Sequence, residues 1–259
     1  VIRKECYIIS PDNNRELNKI GVIPIFKKLR RENKENKKIA VLTGSMIIIP
    51  VSAYLAFEAK AAKYGITQIN SNPVPFDSNY ILINQTEQLK HDIVHIVTQI
   101  FQRGEIEVLI GTKSLLGEGW DAPAINSLIL ASFVGSFVLS NQMRGRAIRT
   151  QNGNGDKTGN IWHLVCIDPT SPTGGDDFDL LKRRFRSFVG VSFKEEPGIE
   201  SGIGRLNLPE NIHHKEEAEK KNLEMFTHAG DRESLKQRWK EALATGINLV
   251  EEIKIPFPE

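Results

Sequence analysis

Cysteine is nearly absent from this chain: Cys6 and Cys166 are its only two. Two thiols so far apart supply neither a disulfide framework nor a zinc site, and their scarcity points to a reducing cytoplasm. No run of about 18 apolar residues occurs, so no membrane span is expected, and the opening residues do not read as a signal peptide. A surplus of one charge is missing too, since 34 basic against 32 acidic residues leave a formal +2. Any nucleic-acid binding would therefore have to come from local patches and not from bulk electrostatics. Two nucleotide-handling motifs are also lacking. Nothing fits Gly-x-x-x-x-Gly-Lys-Ser/Thr and no Asp-Glu pair occurs, so no segment can cradle phosphates in backbone amides beside an acid that holds Mg²⁺.

What is present suits one large or two small domains, since 259 residues with 40% hydrophobic content can fill a sizeable core. Apolar runs alternate with amphipathic stretches, the pattern of a parallel sheet covered by helices. Strand-like runs fall at 39–42, 80–83, 108–110, 127–131 and 161–167. Helical stretches fall at 23–31, with Pro24 suited to a first turn, at 52–64 ending on Gly65, and at 87–103. The last carries the stripe Leu89, Ile93, Ile96, Val97, Ile100 and Phe101 and closes on Gly104. Pro169-Thr170-Ser171-Pro172-Thr173-Gly174-Gly175 is rich in breakers and marks a boundary. The expected domains are 1–168, an α/β sheet domain, and 169–259, a mainly helical extension with helices at 180–188, 209–228 and 234–245.

Two segments carry the chemistry. Gln142-Met143-Arg144-Gly145-Arg146-Ala147-Ile148-Arg149, if helical, puts Gln142, Arg146 and Arg149 at i, i+4 and i+7 on one face. Two guanidiniums on one stripe repel each other, so the arrangement suits a polyanion arriving from outside the domain. Some thirty residues earlier, Val108-Leu109-Ile110-Gly111-Thr112-Lys113 leads to Gly119-Trp120-Asp121-Ala122-Pro123, a strand followed by a turn whose glycines permit close approach.

Together these segments resemble motifs VI and V of superfamily two helicases and translocases. The pattern Gln-x-x-Gly-Arg-x-x-Arg is filled by Gln142, Gly145, Arg146 and Arg149, and the Gly-Thr step and Gly-x-Asp-x-Pro turn by Gly111-Thr112 and Gly119 to Pro123. The resemblance implies a RecA-like parallel sheet flanked by helices, the second lobe of a P-loop NTPase, with a small helical C-terminal extension. It implies that ATP with Mg²⁺ is held mainly by a separate P-loop lobe, which the start on Val1 without Met leads one to expect upstream. Glu118 stands where many RNA-helicase relatives carry arginine, and Trp120 where an aliphatic residue is common. Those departures lean toward DNA as the track, with RNA still possible, and toward the restriction-type translocase branch.

The resemblance assigns Arg146 and Arg149 to the ATP phosphates, one of them as the arginine finger, against the alternative of surface ion pairs. Gln142 would link the nucleotide to motif V, or be an ordinary helix amide. Gly119 and Asp121 would shape the nucleotide site, Asp121 through the ribose hydroxyl or a motif VI arginine, or Asp121 would only stabilise its turn. Thr112 and Lys113 would hold a nucleic-acid phosphate, as would Thr43 and Gly44, although Thr43-Gly44-Ser45 reads equally as a turn. The basic runs Lys27 to Lys38 and Lys182 to Arg186 read as solvated faces, His213-His214 lacks a third ligand for a metal, and Phe226 and Trp239 read as core. Two other classes stay open: a non-catalytic nucleic-acid-binding or regulatory module, and an unrelated α/β enzyme such as a nucleotide-sugar transferase.

Overall fold

The computed structural model describes residues 20–117, 120–131, 137–209 and 212–245. The chain divides into two compact units, Val1–Ile129 with Val134–Trp162, and Leu130–Phe133 with His163–Glu259.

The first unit is built on a five-stranded sheet. Its strands are β1 (Ile39–Leu42), β2 (Ile47–Pro50), β3 (Ser71–Val74), β4 (Asp77–Ile83) and β5 (Val108–Gly111), in the order β3-β4-β2-β1-β5. Every position of β1 and β2 is buried, and the pleat sorts them by period two. Ala40, Leu42, Ile47 and Ile49 pack on α2 (Tyr54–Ala62) and α3 (Glu87–Gln102) through Phe57, Ala61, Ile93 and Ile96. Ile39, Val41 and Ile48 face the other way, onto Ile23 and Phe26 of α1 (Val22–Arg31). Helix α3 starts where Thr86 Oγ1 accepts the Leu89 amide at 3.2 Å, and Gly104 leaves it at φ +76°, a conformation that suits glycine.

The sheet is mixed, which corrects the expected parallel sheet. Only β1 and β5 run parallel within it, with Leu42 opposite Gly111. The cause lies in the turns. Thr43 N–H donates to the Met46 carbonyl at 2.9 Å, closing a two-residue connection that returns β2 antiparallel to β1. Pro75-Phe76 does the same between β3 and β4, where Val74 faces Asp77. Pro73 is tolerated because β3 is an edge strand, where a missing N–H need not break a ladder. Two further strands, β6 (Ser127–Leu130) and β7 (Asn160–His163), form a separate pair. The amides of Asn160 and Leu164 donate to the carbonyls of Asn126 and Leu130, so that pair is parallel. Strand β7 ends earlier than the apolar run 161–167, and beyond it the Cys166 amide donates to Asp177 at 2.7 Å.

The second unit contains α6 (Asp176–Phe185), α7 (Lys215–Gly230) and α8 (Arg232–Ala244), together with an unexpected hairpin of β8 (Val189–Val191) and β9 (Ile199–Ser201). Asp231 caps α8, accepting the Ser234 amide at 3.0 Å. The core of the unit is small: Val191, Ile199 and Ala242 with Leu235, and Phe185 edge-on to Phe188 at 5.7 Å. Phe226 and Trp239 are 61% and 38% exposed, so neither is the core residue that helical spacing suggested. Among the described residues no helix is long and apolar enough to cross a membrane.

Candidate nucleotide and nucleic-acid site

Both motifs lie in the first unit and meet there. Strand β5 leaves the sheet at Gly111, where a Cβ would stand 2.8 Å from Leu116 Cγ and 3.0 Å from the Leu42 carbonyl oxygen, so only glycine fits without displacement. The Thr112 carbonyl then accepts the amides of Leu115 and Leu116 at 3.1 and 3.0 Å, starting the short helix α4 (Lys113–Gly117). Lys113 is exposed and Thr112 half-buried.

The parallel register of β1 and β5 puts Thr43 and Thr112 side by side, one residue past the paired Leu42 and Gly111. Special residues at the C-terminal ends of adjacent parallel strands are where open α/β sheets take ligands. The hydroxyl of Thr43 is engaged at home: it donates to the Met46 carbonyl and accepts the Ser45 amide, both at 3.3 Å, and the residue is 2% exposed. Gly44 is open, with nothing within 4 Å of the place of a Cβ. It borders a groove of about 520 Å³ that Ser45, Asn84, Gln85 and Lys90 also line.

The turn of motif V is anchored from below. Trp120 is 8% exposed and packs with Ala122, Ile125 and Ala147. Its indole N–H donates at 2.6 Å to Thr98 Oγ1 of α3, which in turn donates to the Val94 carbonyl at 2.5 Å. Asp121, next in sequence, is thereby held at the surface with its side chain 65% exposed. Gly119 and Glu118 lie outside the described residues.

Motif VI comes from α5 (Phe137–Ala147). Gln142 is exposed on it and Arg146 is 6% exposed. The helix ends two residues short of Arg149, so the i+7 position on a helical stripe is not realised, and Arg149 reaches the site from the turn that follows. Arg146 Nη1 donates to the Leu116 carbonyl at the end of α4. Arg149 Nη1 pairs with Asp121 Oδ1. The two arginines and the carboxylate share one neighbourhood: the Arg146 guanidinium has its pKa pushed down by burial and then by Arg149, with Asp121 acting in the opposite direction. Arginines expected to converge on one place from the outside thus divide, one facing inward to a carbonyl and one outward to a carboxylate.

Gly145 belongs to the motif, whereas Lys157 and Gly159 carried no sequence signal. Gly145 sits inside α5 with none of the described residues within 4 Å of the place of a Cβ, so no packing among them accounts for a residue that costs a helix about 1 kcal/mol relative to alanine. Beyond the motif, Lys157 and Gly159 contact the end of α5, through Ala147.

The other candidates disperse. Arg30 pairs with Asp77 at 2.9 Å and Lys37 and Lys38 reach Glu107 and Glu105, so much of the basic run 27–38 is neutralised locally. Lys27, 8% exposed, lies 4.8 Å from the Phe76 ring and is no solvated cation. The amides of His213 and His214 both donate to Glu217 at the start of α7. No group of three His, Cys, Asp or Glu suited to a metal occurs among the described residues. Comparison with known proteins returns nothing: no family model, curated protein or solved structure matches the chain.

Proposed function

We propose that this chain is the second, RecA-like lobe of a superfamily two translocase that moves on DNA, with RNA the other candidate track, and completes an ATP site whose phosphates and Mg²⁺ are held by a P-loop lobe. The observation that carries the reading is the double link between the motifs: Arg149 with Asp121 and Arg146 with Leu116. A motor lobe needs a cation that can be handed to a phosphate, and Arg149 suits the task. Its side chain is 51% exposed and its partner 65%, and ion pairs so exposed are worth about 0–1 kcal/mol. An arriving triphosphate can therefore take the guanidinium from Asp121 at little cost, and its fork geometry suits phosphate oxygens. Arg146, buried against the end of α4, would transmit that movement into motif V.

The track follows from the same sheet edge. Gly44 and the Thr112-Lys113 step stand at the ends of adjacent parallel strands, where small residues, a backbone amide and a cation can hold a sugar-phosphate chain without reading its bases. Closing the two lobes on ATP and reopening them after hydrolysis would shift that grip. At Gly145, where no described residue lies within 4 Å of the place of a Cβ, a partner's backbone could come close.

The test is DNA-stimulated ATP hydrolysis by this chain combined with its P-loop lobe. Arg149→Ala is expected to lower turnover by about 10³-fold or more while DNA affinity holds. Unchanged turnover removes the motor reading, and DNA binding without hydrolysis in the wild type would favour a non-catalytic binding module.

A further inference from the structure

The turn that carries Arg149 is held by a residue outside either motif. Lys157 Nζ donates to the Ala147 carbonyl at 3.2 Å and to the Arg149 carbonyl at 2.6 Å. The last carbonyls of a helix lack intrahelical partners and carry the negative end of its dipole, so an ammonium there is well placed. Burial alone lowers the pKa of Lys157, in keeping with an ammonium that meets carbonyls and no carboxylate. Two residues on, a Cβ at Gly159 would stand 3.0 Å from the Ala147 carbonyl carbon, and Asp156 and Thr158 flank a lysine whose backbone is fixed at both sides. On one side the Lys157 amide bonds to Asn154 at 3.4 Å, and on the other the Asn160 amide bonds to Asn126 at 2.9 Å. Arg149 lies past the end of α5, and among the described residues its amide bonds back to the helix through the Arg146 carbonyl at 3.4 Å.

We propose that Lys157 is the positioning residue of Arg149: its ammonium clamps the carbonyls on either side of Ile148, and so directs the Arg149 guanidinium onto Asp121. Helical spacing cannot do this, because α5 has ended at Ala147. The use to which the guanidinium is put rests on the function proposed above, whereas the clamp does not.

Residue-resolved labelling of arginines with phenylglyoxal, read by mass spectrometry on this chain, separates the two. Lys157→Met is expected to raise the labelling rate of Arg149 by up to about fivefold, the most that an exposed ion pair can protect. Arg103, exposed in the turn after α3, should keep its rate. Asp121→Asn should also expose Arg149, and adding Lys157→Met to it should change little, because both act on one contact. Lys157→Arg, which keeps the charge and two donors, should leave Arg149 within about twofold of wild type. An unchanged Arg149 rate in Lys157→Met overturns the clamp. So does a parallel rise at Arg103, which would mean general loosening, or a Lys157→Arg rate as high as that of Lys157→Met. A wild type without ATP hydrolysis would remove the motor reading and leave these labelling outcomes intact.

Discussion

The sheet of the first unit and the motif segment beside it are held by different physics. In the sheet, β1 and β2 are buried at every position and sealed on both faces by aliphatic and aromatic side chains. In the motif segment the apolar cluster is small, Trp120, Ala122, Ile125 and Ala147, and the polar and charged groups around it are placed by individual polar contacts: Trp120 to Thr98, Arg146 to Leu116, Arg149 to Asp121, and Lys157 to two carbonyls. Apolar packing is non-directional and spread over many atoms, so it gives a platform that resists deformation. A hydrogen bond or exposed ion pair is directional and contributes little net free energy. Such contacts can be exchanged for contacts to a ligand without unfolding anything. The difference predicts that lesions in the sheet act on stability, whereas lesions in the motif segment act on function.

The largest expected effect on stability belongs to Phe26. Its ring is fully buried and edge-on to Tyr80 at 5.0 Å, so Phe26→Ala should cost about 3–5 kcal/mol in denaturant unfolding. Under the function proposed above, ATP turnover per folded molecule, measured together with a P-loop lobe, should stay near wild type. If the folded fraction lost its turnover as well, the platform and the site would not be separable.

Trp120→Phe probes the border between the two regimes. The substitution keeps an aromatic body among Ala122, Ile125 and Ala147 but deletes the bond to Thr98, whose hydroxyl still has the Val94 carbonyl. Stability should fall by only about 1 kcal/mol. Turnover should fall by about tenfold to a hundredfold, since Asp121 loses the anchor beside it and a misplacement on the order of 1 Å is costly to reactions that depend on orientation. A loss of stability with turnover untouched would make Trp120 part of the platform only.

The same contrast explains what could be read from the sequence. Helix α3 was legible because its stripe, cap and closing glycine are local signals, and β1 and β5 were legible as short apolar runs. Strand β2 is not among the expected runs, although Ile47-Ile48-Ile49 follows a turn-forming Thr-Gly-Ser. Expecting a uniformly parallel sheet hid the hairpin that the turn makes. In the second unit, β8 and β9 are three residues each, too short for periodicity to register. The spacing within Gln142 to Arg149 does not show how these residues converge, because α5 ends at Ala147. Nothing between Arg146 and Arg149 breaks a helix by composition; the helix stops at Ala147, where Gly159 abuts its carbonyl and Lys157 draws on it. Those are contacts ten or more residues apart, and no local pattern announces them.

Gly145 sharpens the comparison most finely because its two regimes should move in opposite directions. Among the described residues a methyl group at 145 meets nothing, and alanine is the better helix former, so Gly145→Ala should raise stability by up to about 1 kcal/mol. If Gly145 is where a P-loop lobe or its nucleotide comes close, as the function proposed above would have it, the same methyl should lower ATP turnover. A gain in melting temperature joined to a loss of turnover would assign the glycine to an outside surface, since the fold itself would not have suffered. A gain in both would free α5 from that role and leave Arg149 and Asp121 to act alone. A loss of stability would mean that α5 is packed in solution against something that the methyl displaces, which would move Gly145 from the functional side of the comparison to the platform.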